Sequence, residues 1–179
     1  MENKKVSVIA VLSSIILICI VIIGFQYLRI KQLEGNAISL AYGGSLPDLK
    51  LTPLSNSNHH KSKKIKLIFI FKSPCSSCNA NLNTWKNFSR YFGDKVEVLG
   101  IILDGRMEAE RLNDEQGVDF QLYLPENVAS FKNKMHIKLN MAQTIIVSDD
   151  KVVSSHMGIL SYQQIEEIMK RIDDILTEV

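Results

Sequence analysis

The run Leu67-Ile68-Phe69-Ile70-Phe71-Lys72-Ser73-Pro74-Cys75-Ser76-Ser77-Cys78 passes from an apolar segment straight into two cysteines separated by two residues. Counted from Ile65, the apolar part has the length and the aromatic and β-branched content of a strand buried on both faces. After Cys75 the spacing becomes helical: Leu82, Trp85, Phe88 and Phe92 recur every three to four residues, and the pattern stops at Gly93. A strand feeding a two-cysteine turn at a helix start is a layout for reversible thiol chemistry. The spacing lets the sulfurs meet across one helical turn, and the unpaired N–H groups of that turn favour a thiolate at Cys75. One thiol can then attack a partner's disulfide and the other can resolve it. The competing reading is half of a zinc site, but a structural zinc needs four ligands, and no second C-x-x-C and no paired histidine motif at suitable spacing is present.

Working outward, Val96 to Leu103 reads as a second buried strand ended by Asp104-Gly105. Arg106 to Gln116 is a helix candidate with few apolar anchors. Phe120 to Leu124 is a short strand closed by Pro125, and Val128, Phe131 and Met135 give a brief helical stripe. Thr144 to Ser148, the Asp149-Asp150 turn and Val152 to Ser155 read as a hairpin. Tyr162, Ile165, Ile168, Met169, Ile172, Ile175 and Leu176 then form the clearest helical periodicity, with Ser161 as its cap. On the N-terminal side, Leu49 to Leu54 is a weak edge strand. The polar cluster around His59 and His60 reads as a hairpin tip, and Lys61, Lys63, Lys64 and Lys66 as a solvated start to the next strand. The alternation of strands and helices specifies an α/β domain with helices on both faces of a central sheet. The cysteines fall at the carboxyl end of a central strand, where sites in open α/β sheets lie.

Val6 to Leu28 is interrupted only by Ser7, Ser13, Ser14, Gly24 and Gln26. At about 1.5 Å per residue it can cross a hydrocarbon core of roughly 30 Å. It is longer than the apolar core of a signal peptide, and no small-x-small site follows it, so an uncleaved anchor is expected. Lys4, Lys5 and the α-amine precede it while Arg29 and Lys31 follow, and the positive-inside rule favours a cytoplasmic N-terminus. The expected organisation is a cytoplasmic segment at 1–5, a transmembrane helix at 6–28, a linker at 29–45 and one domain at 46–179. It predicts a single-pass cell-membrane protein whose C-terminal domain lies outside the cytoplasm, where disulfides persist. Cys19, inside the span, reads as a buried small hydrophobe. A formal net charge of +2 over 179 residues gives no electrostatic case for nucleic acid.

Together these motifs resemble the thioredoxin-like redoxins, and most closely the membrane-anchored thiol-disulfide oxidoreductases of the TlpA and ResA type. The resemblance runs from Gly44 to Leu176. Gly44-Ser-Leu-Pro-Asp-Leu-Lys-Leu is similar to the family's opening strand, and Leu67 to Cys78 to its central strand and redox motif. Val98 to Asp104 resembles the next strand, and Thr144 to Gly158 the terminal hairpin with its following glycine. It implies a thioredoxin-like fold, a central mixed sheet flanked by helices. It also implies Cys75 as the exposed nucleophile, Cys78 as the more buried resolving thiol, and Ser76 and Ser77 as the pair that helps set the reduction potential. The implied partners are protein thiols or disulfides outside the cytoplasm and a membrane-anchored redox donor, with the bilayer contacted through residues 6–28. No cofactor and no metal are implied.

Pro74, Ala142 and Gln143 are the expected substrate-contact positions. Pro74 stands where the family commonly has tryptophan, and Ala142 where it has a cis-proline, so a trans peptide is expected there. The strand Leu67 to Phe71 lacks the buried carboxylate that thioredoxins often place before the motif, leaving His136 and His156 as candidate proton carriers. Two other functions are consistent with the chain. One is a metal-binding or accessory module of the same fold. The other is a peroxiredoxin-like peroxidase, although Phe71 to Pro74 does not supply that class's Pro-x-x-x-Thr-x-x-Cys environment.

Overall fold

The structure is a computed structural model that describes residues 16, 18–26, 43–55, 63–137 and 141–178. The chain divides into two units, Met1–Ile38 and Ser39–Val179. In the first, residues 18–26 form a helix, α1, on which Ile18, Ile20, Val21, Ile22, Ile23 and Phe25 are all exposed. Cys19 on the same helix is an exposed free thiol. Among the described residues no helix is long and apolar enough to cross a membrane. Residues 1–5, both ends of the expected span, linker residues 29–42, and His59, His60 and Lys61 lie outside the described residues.

The second unit is built on β2 (Ile65–Phe71), the central strand expected from the apolar run. With β1 (Leu51–Pro53), β3 (Glu97–Ile102), β4 (Gln121–Pro125), β5 (Gln143–Ser148) and β6 (Lys151–Met157) it forms a six-stranded sheet of order β1-β4-β3-β2-β5-β6. β2, β3 and β4 are parallel, whereas β1, β5 and β6 join antiparallel. The unbroken hydrophobicity of β2 follows from its two covered faces. Leu67, Phe69 and Phe71 enter one core with Leu82, Trp85, Phe88 and Phe92; Ile68 and Ile70 enter a second with Phe131 and Met135. In the first core Phe69 stacks on Trp85 at 4.9 Å between centroids and meets Phe120 edge-on at 5.2 Å. Gly100 in β3 makes room for this, since a Cβ there would lie 2.6 Å from the Phe120 ring.

The helices are α2 (Ser76–Phe92), α3 (Arg106–Gln116), α4 (Val128–Lys134) and α5 (Tyr162–Thr177). α5 opens with a capping box in which the Ser161 hydroxyl accepts from the Gln164 N–H and the Gln164 side chain accepts from the Ser161 N–H. Such a cap stabilises a helix by about 1 kcal/mol. The β5–β6 hairpin turns through Asp149 and Asp150, both left-handed, as a two-residue type I′ connection requires. Lys64 and Lys66 pair with these two aspartates, so the lysine-rich start of β2 is fastened to that turn.

One expectation about connectivity is corrected. β1 and β2 do not form the expected hairpin: β1 pairs with β4, and β4 and β3 stand between β1 and β2 in the sheet. The ordered pairing also begins before Leu46. Gly43, Gly44 and Leu46 exchange backbone hydrogen bonds with Asp150 and Val152 at the turn and start of β6.

Candidate active site

β2 ends at Phe71, and the chain turns through Lys72, Ser73 and Pro74 into α2. Asp104, just after β3, accepts a hydrogen bond from the Ser73 N–H, and the Leu103 N–H donates to the Phe71 carbonyl at 3.1 Å. The turn is therefore stitched to the neighbouring strand. The Ser73–Pro74 peptide is cis, and the peptide before Ala142 is trans. Cys75 is the N-cap of α2, with extended backbone angles, and its sulfur accepts the Cys78 N–H at 3.1 Å. Cys75 and Cys78 form a disulfide, their Cα atoms 5.2 Å apart. In the reduced state the same N–H and the positive end of α2 favour a thiolate on Cys75, the form that serves as nucleophile and leaving group.

Two polar side chains of α2 tie this turn to the loops across from it. The Ser77 hydroxyl lies 3.3 Å from the Cys75 sulfur and accepts the Ala142 N–H at 3.2 Å. The Ala142 carbonyl in turn accepts the Gly158 N–H at 2.8 Å. Asn81, buried at 1 % exposure, donates to the Gly158 carbonyl at 2.7 Å and accepts the Leu160 N–H at 2.9 Å. The redox turn, the loop before β5 and the loop after β6 are thus one hydrogen-bonded assembly.

A cavity of 460 Å³ opens beside Cys78, floored by Phe71, Leu82 and Trp85 and walled by Glu108 and Arg111 of α3. Arg111 bridges Glu108 and Glu115. Its hydrogen bond, followed by one from Ser73, holds the Glu108 carboxyl down to about 2. Glu108 is therefore held as an anion by its Arg111 partner.

No protein-family model and no curated protein matches the sequence. Solved structures do. A thioredoxin-like protein from Porphyromonas gingivalis is 20% identical, with a TM-score of 0.60 over 77% of this chain and 95% of that one. A Chlorobium tepidum protein described as a thiol:disulfide interchange protein DsbE is 16% identical, with a TM-score of 0.59 over 76% and 99%. A thiol-disulfide isomerase from Corynebacterium glutamicum is 14% identical, with a TM-score of 0.55 over 76% and 96%. The larger unit has a thioredoxin-like fold.

Within this thioredoxin-like fold the expected site residues separate into two groups. Pro74 is exposed beside Cys75. Ala142 and Gln143 are buried at 0 % and 1 %, so neither side chain is open to a substrate. The Ala142 backbone is engaged by Ser77 and Gly158. Gln143 points to the opposite sheet face from Thr144, whose hydroxyl accepts the Trp85 indole N–H at 2.9 Å. Among the described residues of this loop, Met141 faces solvent. Cys75 is also less open than expected: it is 7 % exposed against 5 % for Cys78, because both sulfurs join the core cluster containing Trp85 and Ala142. Neither histidine bonds to a sulfur. His156 shares a hydrogen bond with Ser154, and burial pushes its pKa down, while His136 sits in a left-handed turn after α4.

Ser77 was legible only as a residue between the cysteines, and Asn81 was missed. The available signal for Asn81 was a polar residue on the apolar stripe of α2, one turn after Cys78. Glu108 and Arg111 carried no signal, since they lie in a helix candidate with few apolar anchors, of which only Ala109 is buried.

Proposed function

We propose that the chain is a thiol-disulfide oxidoreductase acting on proteins outside the cytoplasm, held at the cell membrane by a single span at residues 6–28. The observation that carries this reading is the Cys75–Cys78 disulfide at the N-cap of α2, at the carboxyl end of a central strand. The interchange and isomerase activities named for two similar structures support it. The membrane location is supported by the apolar sequence from Val6 to Leu28 and by the exposed isoleucines, valine and phenylalanine of α1, which suit a lipid surrounding better than water.

In the reductive direction the Cys75 thiolate attacks a substrate disulfide, forming a mixed disulfide and releasing one substrate thiolate. The Cys78 thiolate then attacks the Cys75 sulfur, closing the Cys75–Cys78 bond and releasing the second substrate thiolate. Two electrons pass to the substrate, and the two thiols supply the protons. The same steps reversed oxidise a dithiol. A membrane-anchored donor would return the pair to its reduced state.

The test is a trap. In Cys78→Ser the second step cannot occur, so the protein is expected to accumulate mixed disulfides to protein partners through Cys75, released by dithiothreitol. Recovery of none, together with a wild type that never forms the Cys75–Cys78 disulfide, contradicts the reading. A metal-binding module would instead show stoichiometric metal that is lost when both cysteines are alkylated.

A further inference from the structure

We propose that Ser77 and the backbone N–H of Ala142 form a two-step hydrogen-bond relay that stabilises the Cys75 thiolate, with Ser77 as a positioning residue. The inference rests on the thiol-disulfide reading of the same site. A disulfide sulfur carries no proton, so in the 3.3 Å contact between the Ser77 hydroxyl and the Cys75 sulfur the hydroxyl is the donor. Its oxygen meanwhile accepts the Ala142 N–H at 3.2 Å. Each bond polarises the next, so the N–H strengthens the hydroxyl as a donor toward sulfur. The N–H exists because residue 142 is alanine; a proline there would have none.

The relay is held in place from behind. The Ala142 carbonyl accepts the Gly158 N–H, and Asn81 clamps the Gly158–Leu160 loop. The described loop residues around the sulfur, Met141, Ala142 and Gly158 to Leu160, contain no titratable side chain. The charged groups near the turn are Lys72, Asp104 on the Ser73 N–H, and Glu108, Arg111 and Glu115 along the cavity that opens beside Cys78. A thiolate accepts a hydrogen bond more strongly than a disulfide sulfur. The relay therefore stabilises the reduced anion more than the oxidised pair. Removing it raises the Cys75 pKa and shifts the dithiol–disulfide equilibrium toward the disulfide.

The test uses the reduced full chain and the pH dependence of iodoacetamide alkylation at Cys75, resolved from Cys78 and Cys19 by peptide mass. Ser77→Ala is expected to raise the Cys75 pKa by about one pH unit, a roughly tenfold loss of thiolate at lower pH. It should also move the equilibrium with glutathione severalfold toward the disulfide, which a purely structural loss would not do. Ser77→Thr keeps the hydroxyl and is expected to restore both values, and Ala142→Pro to raise the pKa in the same direction. A Ser77→Ala pKa within about 0.3 of the parent, or an equal rise in Ser77→Thr, overturns the relay. Disulfide exchange by the parent chain tests the function independently. Exchange with an unmoved Ser77→Ala pKa sinks the relay alone; a moved pKa without exchange sinks the oxidoreductase reading alone.

Discussion

Cys75→Ser is expected to reduce thiol-disulfide exchange by at least about 1,000-fold, because a serine hydroxyl does not ionise near neutral pH and cannot form the mixed disulfide. The fold should survive the change. Serine is a preferred N-cap residue and can accept the Cys78 N–H in place of the sulfur, so α2 keeps its first turn. The variant does lose the Cys75–Cys78 disulfide, but a bridge closing so short a loop contributes only about 2 kcal/mol in the chain-entropy model. The proper comparison is therefore with reduced wild type, whose urea midpoint the variant should match while its turnover of a disulfide-bonded protein is abolished. A Cys75→Ser protein that still turns over would move the reactive role to Cys78, whose flank opens on the cavity.

The second large effect is on stability. Asn81→Ala removes the partners of two main-chain groups, the Gly158 carbonyl and the Leu160 N–H. Each buried unpaired group costs about 1–3 kcal/mol, so a loss of about 3 kcal/mol or more is expected in urea unfolding. The damage extends beyond unfolding, because the Gly158 N–H also holds the Ala142 carbonyl. A released loop would loosen the contact between Ala142 and Ser77 beside the disulfide. A loss below about 1 kcal/mol for Asn81→Ala would show that water replaces the side chain and that the loop is not clamped as described.

Much of this domain was legible because its elements obey strong local rules. The β2 run is apolar on both faces because two cores enclose it, and the stripe from Leu82 to Phe92 stops where α2 stops. Arg106–Gln116 was readable despite its few apolar residues because Gly105 and Gly117, both at positive φ, bound it. Strand pairing was harder. Nothing local to Leu51–Pro53 says that its partner is β4, since three residues at a sheet edge carry little periodicity.

The site divides the same way. Cys75 and Cys78 declare themselves by spacing and position, but the exposure of Cys75 depends on how the Ala142 loop closes on it, which is a long-range property. Substrate contacts at Ala142 and Gln143 were inferred from resemblance. With alanine in place of proline the loop gains an N–H, and that donor is directed inward to Ser77. The polar partners Asn81, Glu108 and Arg111 become visible only when distant segments meet.

The most direct test of the central claim is a redox titration of the full chain in thiol–disulfide buffers, with the cysteines followed by alkylation and mass. Trp85, the single tryptophan, lines the cavity beside Cys78 and supplies a fluorescence signal. The predicted result is one reversible two-electron transition between about −120 and −300 mV that interconverts the Cys75–Cys78 disulfide and dithiol in a folded protein. Cysteines that stay reduced across that range, or that hold a stoichiometric metal in place of the disulfide, would contradict it.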